Sequence, residues 1–237
     1  MQVQVDWKES LSKLIEGNMR FRLGLRSVES FASSLRLREL AENGQSPSAI
    51  ILTCSDSRVP TEILFDKGVG DLFVIRVAGN VISRSIVASI EYAATILRTP
   101  LCVVMGHTQC GAVRAAYGKV KDNSLSATEN LDRLLEKITP AVEETLRCHP
   151  AETEEELLRL SGIINVKRQV SLIQKNSQIL NALSQDGKFR IIGASYSIHD
   201  GEVSFDMEGL PNYKLDRPLH GAVLDQLLFS MKSPEII

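Results

Sequence analysis

Two short apolar runs fix the kind of fold this chain can adopt. Ala49-Ile50-Ile51-Leu52-Thr53 and Leu101-Cys102-Val103-Val104-Met105 are continuous rather than alternating. Runs of that length, too short for a buried helix, fit strands covered on both faces, as in a parallel sheet. Residues 71–76 (Asp-Leu-Phe-Val-Ile-Arg) and 190–196 (Arg-Ile-Ile-Gly-Ala-Ser-Tyr) read as two more strands. His199-Asp200-Gly201 makes a turn into Val203-Ser204-Phe205, which predicts a fifth, antiparallel strand at the edge. Helical periods separate the strands, so the expected class is α/β: a central, mainly parallel sheet with right-handed crossovers, flanked by helices.

Residues 7–22 carry Trp7, Leu11, Leu14, Ile15 and Met19 at helical spacing. A second helix is read over residues 31–43, stopped by Gly44. Together they predict an N-terminal helical arm over residues 1–45. Further helices are expected over residues 83–97, 128–146 and 153–180. The acidic residues 152–156 suit the first turn of the last of these, where carboxylates meet the positive end of the helix dipole. Signals after residue 211 are mixed, and about 211–237 read as a C-terminal extension. A chain of 237 residues with this pattern is expected to be a single domain over residues 1–237.

The charge balance excludes some functions. The formal net charge is −2 with no basic cluster, so nucleic acid is not an expected partner. No apolar stretch is long enough to span a bilayer, so neither is a membrane. The first residues lack a basic region followed by an apolar core, which predicts a cytoplasmic protein. There Cys54, Cys102, Cys110 and Cys148 would be reduced, and metal binding is a better default than disulfides.

Chemistry gathers at the ends of the two opening runs. Cys54-Ser55-Asp56-Ser57-Arg58 follows the first and Gly106-His107-Thr108-Gln109-Cys110-Gly111 the second. Loops at the carboxyl ends of neighbouring parallel strands can converge where the strand order reverses. Cys54, His107 and Cys110 would then offer zinc two thiolates and an imidazole, with a fourth position for water. Zinc lowers the pKa of such a water to about 7. The alternative is that both cysteines are small buried hydrophobes and His107 a satisfied turn residue. Asp56 could fill the fourth position, pair with Arg58 and leave it open, or only shape an Asx-turn. Cys102 reads as core, and Cys148-His149-Pro150 as a helix end. His199 and His220 read as surface residues, although either could carry protons.

Four motifs in order, Cys54-Ser-Asp-Ser-Arg58, Arg76-x-Ala-Gly-Asn80, Ser89-Ile-Glu-Tyr92 and Gly106-His-x-x-Cys-Gly111, resemble the β-class carbonic anhydrases. The resemblance covers roughly residues 7–208. It implies zinc held by Cys54, His107 and Cys110, with Asp56 and Arg58 as a catalytic dyad and Asp56 a conditional fourth ligand. It implies reversible hydration of carbon dioxide to bicarbonate and a proton by a zinc-bound hydroxide. It further implies a four-stranded parallel core with an added antiparallel strand, and a homodimer or larger homo-oligomer. Substrate would sit in a narrow apolar pocket partly walled by a neighbouring subunit. Gln45, Phe73 and Tyr92 match the pocket residues of the plant-like, constitutively open group, and Gly111 joins them as a substrate-binding position. The bicarbonate-inhibited group uses a Trp, an Arg and a Tyr where this chain has Ile51, Arg76 and Tyr196, so its second anion site lacks the Trp. Two other functions share these residues: hydrolysis of carbonyl sulfide or carbon disulfide, and a non-enzymatic, zinc-dependent regulatory role.

Overall fold

Five strands form one sheet in the order β2-β1-β3-β4-β5: β1 Ala49–Thr53, β2 Leu72–Arg76, β3 Leu101–His107, β4 Arg190–Tyr196 and β5 Val203–Phe205. The structure, a computed structural model, describes residues 6–25 and 33–206, all within one compact unit, Met1–Asp206. The expected C-terminal extension and His220 lie outside the described residues. β1 pairs in parallel with β2 and β3, β3 pairs in parallel with β4, and β5 is antiparallel to β4. Every residue of β1 and β3 is buried, as the continuous apolar runs require. β3 runs two residues further than the sequence suggested, through Gly106 and His107.

The strand order explains why a site can form here. From β1 the chain steps to β2 on one side, then crosses back over β1 to β3 on the other. The order reverses between β1 and β3, so the carboxyl ends of these two strands open into a crevice.

Helices cover both faces. α1 Trp7–Arg22 starts at Asp6, whose side chain accepts a hydrogen bond from the Lys8 N–H. Its Leu11 and Leu14 are fully buried, and Asn18 donates to the Leu64 and Gly201 carbonyls while accepting from the Val203 N–H. The first helix of the arm therefore lies against the sheet unit. Gly17 permits this: a Cβ there would stand 1.9 Å from the Phe65 carbonyl oxygen. α2 Ser34–Asn43 is capped by Ser33, ends at Gly44 with φ 76°, and buries none of its residues. Residues 31 and 32, read as part of it, lie outside the described residues.

A short helix, α3 Thr61–Leu64, was not expected from the sequence. α4 Arg84–Thr95 begins at its Ser83 cap and buries Val87, Ile90, Ala93 and Ala94. α5 Gly111–Asp122 was also not expected; it buries Val113, Ala116 and Tyr117. The helical stretch read over residues 128–146 is two helices, α6 Glu129–Leu135 and α7 Thr139–Cys148, with Pro140 in the first turn of the second. The stretch over residues 153–180 is also two, α8 Glu154–Asn176 and α9 Gln178–Gln185, divided at Ser177, which caps α9. Cys148 ends α7, as expected, and the acidic run supplies Glu154, Glu155 and Glu156 to the first turn of α8.

One core cluster joins Ile50, Leu52, Cys102 and Val104 of the sheet to Ile90 of α4, Val166 and Ile173 of α8 and Leu180 of α9. Burial pushes the Cys102 thiol up to about 12, so it stays a neutral core residue. A second cluster packs Cys54, Val81 and Cys110 on Val113, Tyr117, Ile138 and Val142. Among the described residues, no helix is long and apolar enough to cross a membrane.

Candidate metal centre

Cys54 follows directly on β1, His107 is the last residue of β3, and Cys110 is the residue from which α5 starts. Adjacent pairing of β1 and β3 therefore brings them together. Their ligand atoms all lie within 4.8 Å of one another, and all three residues are buried. The two sulfurs are 4.0 Å apart. That is twice a disulfide bond. It is close to the separation of about 3.8 Å that two thiolates have on a tetrahedral zinc with Zn–S of about 2.3 Å.

The imidazole is set by its other nitrogen. His107 Nδ1 lies 2.9 Å from the Thr108 carbonyl oxygen, a contact that assigns the proton to Nδ1. Nε2 keeps its lone pair, and it is buried with no hydrogen-bond partner among the described residues. A buried, partnerless nitrogen beside two thiols is costly in isolation and natural in a metal ligand. The residues fit zinc by donor type, spacing and burial.

The thiols share this environment unequally. Hydrogen bonding from the Cys110 thiol favours the Cys54 thiolate, helped by the Gly79 N–H against the opposing effect of burial. Cys110 is pushed upward by the same sulfur–sulfur hydrogen bond and by burial. A metal ion must displace the remaining proton to take both as thiolates.

Asp56 lies beside the triad, its Oδ2 3.9 Å from His107 Nε2. Both its oxygens are engaged by Arg58. Nε donates to Oδ1 at 3.0 Å, one terminal nitrogen donates to Oδ2 at 2.8 Å, and the Arg58 backbone N–H donates to Oδ1 at 2.9 Å. This fork holds the Asp56 carboxyl well below the usual carboxylate range, so it is an ionised acceptor at neutral pH. Arg58 also reaches the Gln109 carbonyl at 3.4 Å, which ties the β1 loop to the β3 loop.

Two contributors were not expected beside the triad, although Arg76 was named as a position of the second anion site. Arg76, at the carboxyl end of β2, donates to the Cys54 carbonyl at 3.2 Å and the Asp56 carbonyl at 2.6 Å. Gly79 donates its N–H to Cys54 Sγ at 3.3 Å. Both act on or through the backbone, and their signal was the Arg76-x-Ala-Gly-Asn80 motif.

The candidate pocket residues divide. Gly111 opens α5 beside Cys110, is exposed, and has open space where a side chain would be. Gln45, Phe73 and Tyr92 lie elsewhere. Gln45 is exposed ahead of β1, at the end opposite Cys54. Phe73 pairs in register with Ile50, four residues or about 13 Å along the strand from Cys54. Tyr92, 47% exposed on α4, has its ring 6.3 Å from that of Phe73. Within one protomer, these three do not reach the triad. At the positions of the bicarbonate-inhibited group, Ile51 is fully buried and Arg76 is committed to loop carbonyls. Tyr196 is buried beside His107 in register. A cavity of about 270 Å³ adjoins His107 and Cys110, lined also by Val113, Leu158 and Arg159, with exposed His199 at its edge.

Known proteins are similar to this chain in sequence and fold. The carbonic anhydrase family profile matches residues 49–203. The solved structure of the β-carbonic anhydrase CcaA is 32% identical, superposes with a TM-score of 0.66, and the match covers 84% of this chain and 96% of that one. This chain belongs to the β-carbonic anhydrase family. It is thus similar to carbonic anhydrase 2 of Mycobacterium tuberculosis, at 38% identity over 79% of this chain and 87% of that protein. The Synechocystis carbonic anhydrase is 32% identical over 95% of this chain and 78% of its own length. A chain from the crystal structures of two tetrameric β-carbonic anhydrases of Sordaria macrospora shares the fold, with a TM-score of 0.62 at 24% identity over 73% of this chain and 91% of that one. As a β-carbonic anhydrase, the chain is an enzyme of carbon dioxide hydration with a Cys-His-Cys group able to hold a metal.

Proposed function

We propose that this β-carbonic anhydrase interconverts carbon dioxide and water with bicarbonate and a proton at a zinc ion held by Cys54, His107 and Cys110. The convergence of these three ligand atoms, with a paired Asp56–Arg58 beside them, carries the reading. When bound, zinc supplies a nucleophile at neutral pH by lowering the pKa of water to about 7. Asp56 acts as an acceptor that orients the attacking water through Oδ2, and Arg58 keeps that carboxylate aimed and away from the fourth ligand position. Burial of the triad limits the access of bulk solvent to the ligand atoms.

Gln45, Phe73 and Tyr92 are the proposed substrate-pocket residues, with Gly111 leaving room beside Cys110. Because the first three lie far from the triad of their own protomer, a second copy of the chain must supply them. The functional unit is then a homodimer or a larger homo-oligomer. Stopped-flow carbon dioxide hydration across pH, on protein of measured zinc content, tests the reading. Activity proportional to zinc is expected; fully loaded protein inactive at every pH would overturn it.

A further inference from the structure

Two side-chain amides sit where a helix core would ordinarily be apolar. Asn165 and Gln169, one turn apart on α8, are each 1% exposed and flank core residue Val166. A buried amide is costly unless its donors and acceptor are met. Here they are met by one loop and by each other. Asn165 Nδ2 donates to the Gly79 carbonyl at 2.9 Å. Gln169 Nε2 donates to Asn165 Oδ1 at 3.0 Å, and Gln169 Oε1 accepts from the Ile82 N–H at 2.9 Å.

The loop they grip is bent into a conformation it would not hold alone. The Asn80 N–H closes a tight turn on the Val77 carbonyl at 3.0 Å, with Gly79 at φ 69° and Asn80 at φ 45°. Gly takes the left-handed region freely and Asn takes it more readily than most residues, but a non-glycine residue there still carries some strain that its surroundings must support. Gly79 also has no room for a side chain, since a Cβ would stand 2.5 Å from Ile138 Cδ1. This conformation aims the Gly79 N–H at Cys54 Sγ. A donor on a thiolate takes up part of its charge and fixes its orientation, which tunes how it binds a metal.

We propose that Asn165 and Gln169 are positioning residues for the Cys54 thiolate, acting through the 77–82 loop. They touch neither metal nor substrate. Asn165 fixes the peptide after Gly79, Gln169 fixes Asn165 and the far end of the loop, and the Gly79 N–H delivers the effect to sulfur. The inference rests on zinc being held at Cys54, His107 and Cys110.

The test compares wild type with Asn165→Leu and Gln169→Met, all loaded with zinc, by the rate of zinc transfer to a chromogenic chelator. The thiolate-to-metal charge-transfer band is recorded on cobalt-substituted protein. Loss of a group that supports a metal ligand typically weakens metal binding by about 10- to 100-fold. Asn165→Leu is expected to release zinc faster by a factor in that range, with a shifted cobalt band. Gln169→Met should give a smaller change in both. A merely structural role would lower the melting temperatures of loaded and metal-free protein alike and leave release rate and band unchanged; that result overturns the proposal. Should Asn165→Leu fail to fold, Gln169→Met decides on the same two readouts. Wild type that retains no zinc would overturn the metal reading instead, so the two failures are distinguishable.

Discussion

Asp56 has both carboxylate oxygens occupied by Arg58, so in the proposed mechanism the fourth ligand position depends on that guanidinium. Arg58→Ala removes the fork and the tie to Gln109. We expect carbon dioxide hydration to fall about 10- to 100-fold, the usual cost of losing an outer-shell partner, while zinc content stays near one per chain. Stopped-flow assay with metal analysis checks both. Cys110→Ser should differ in kind, losing zinc and activity together under dialysis against a mild chelator. At this scale much was legible. Cys54, His107 and Cys110 announced themselves by donor type and by following apolar runs. Arg76 and Gly79 did not, because each works through a backbone carbonyl or N–H whose position depends on the folded loop.

Elements behave differently from residues. α1 approaches the Phe65 backbone so closely that Gly17→Ala must push helix and loop apart. Overpacking of this kind costs about 1–3 kcal/mol, measurable by chemical denaturation, and zinc content of the folded protein should not change. Ile90→Ala, in the fully buried seam between α4 and the sheet, should cost about 2–5 kcal/mol by the same measurement. The strands were readable because burial on both faces leaves an unbroken apolar run. α5 was not, although Val113, Ala116 and Tyr117 have helical spacing. Gly111 and Gly118 lower its intrinsic propensity, and Cys110 provides no side-chain cap. The break at Ser177 was missed because nothing in the sequence there is a strong helix breaker, whereas the one before α7 was marked by Pro140, which suits a first helical turn rather than a helix interior.

For the whole molecule, the separation of Gln45, Phe73 and Tyr92 from the triad makes the proposed site a shared one. Gln45→Ala and Cys54→Ser should each be poorly active alone. Unfolded together and refolded with zinc, they should form mixed dimers in which the Gln45→Ala protomer has intact metal ligands and borrows its partner's Gln45. Random pairing makes half the dimers mixed, each with one intact site of two, so about a quarter of wild-type activity should return. Recovery no greater than the two separate activities would contradict the shared site. The sequence could not reveal this division by spacing, since distance along a strand becomes meaningful only when the register is known.

The reversal of strand order between β1 and β3 also sets a timetable. A chain made from its amino end presents Cys54 long before His107 and Cys110 exist. β1 has its β2 neighbour first, and only the later arrival of β3 on its other side brings the remaining two donors to the first. An ion bound at all three can therefore be captured only after Cys110 has been made, and a chain interrupted ahead of Leu101 holds a lone thiol with nothing to share it.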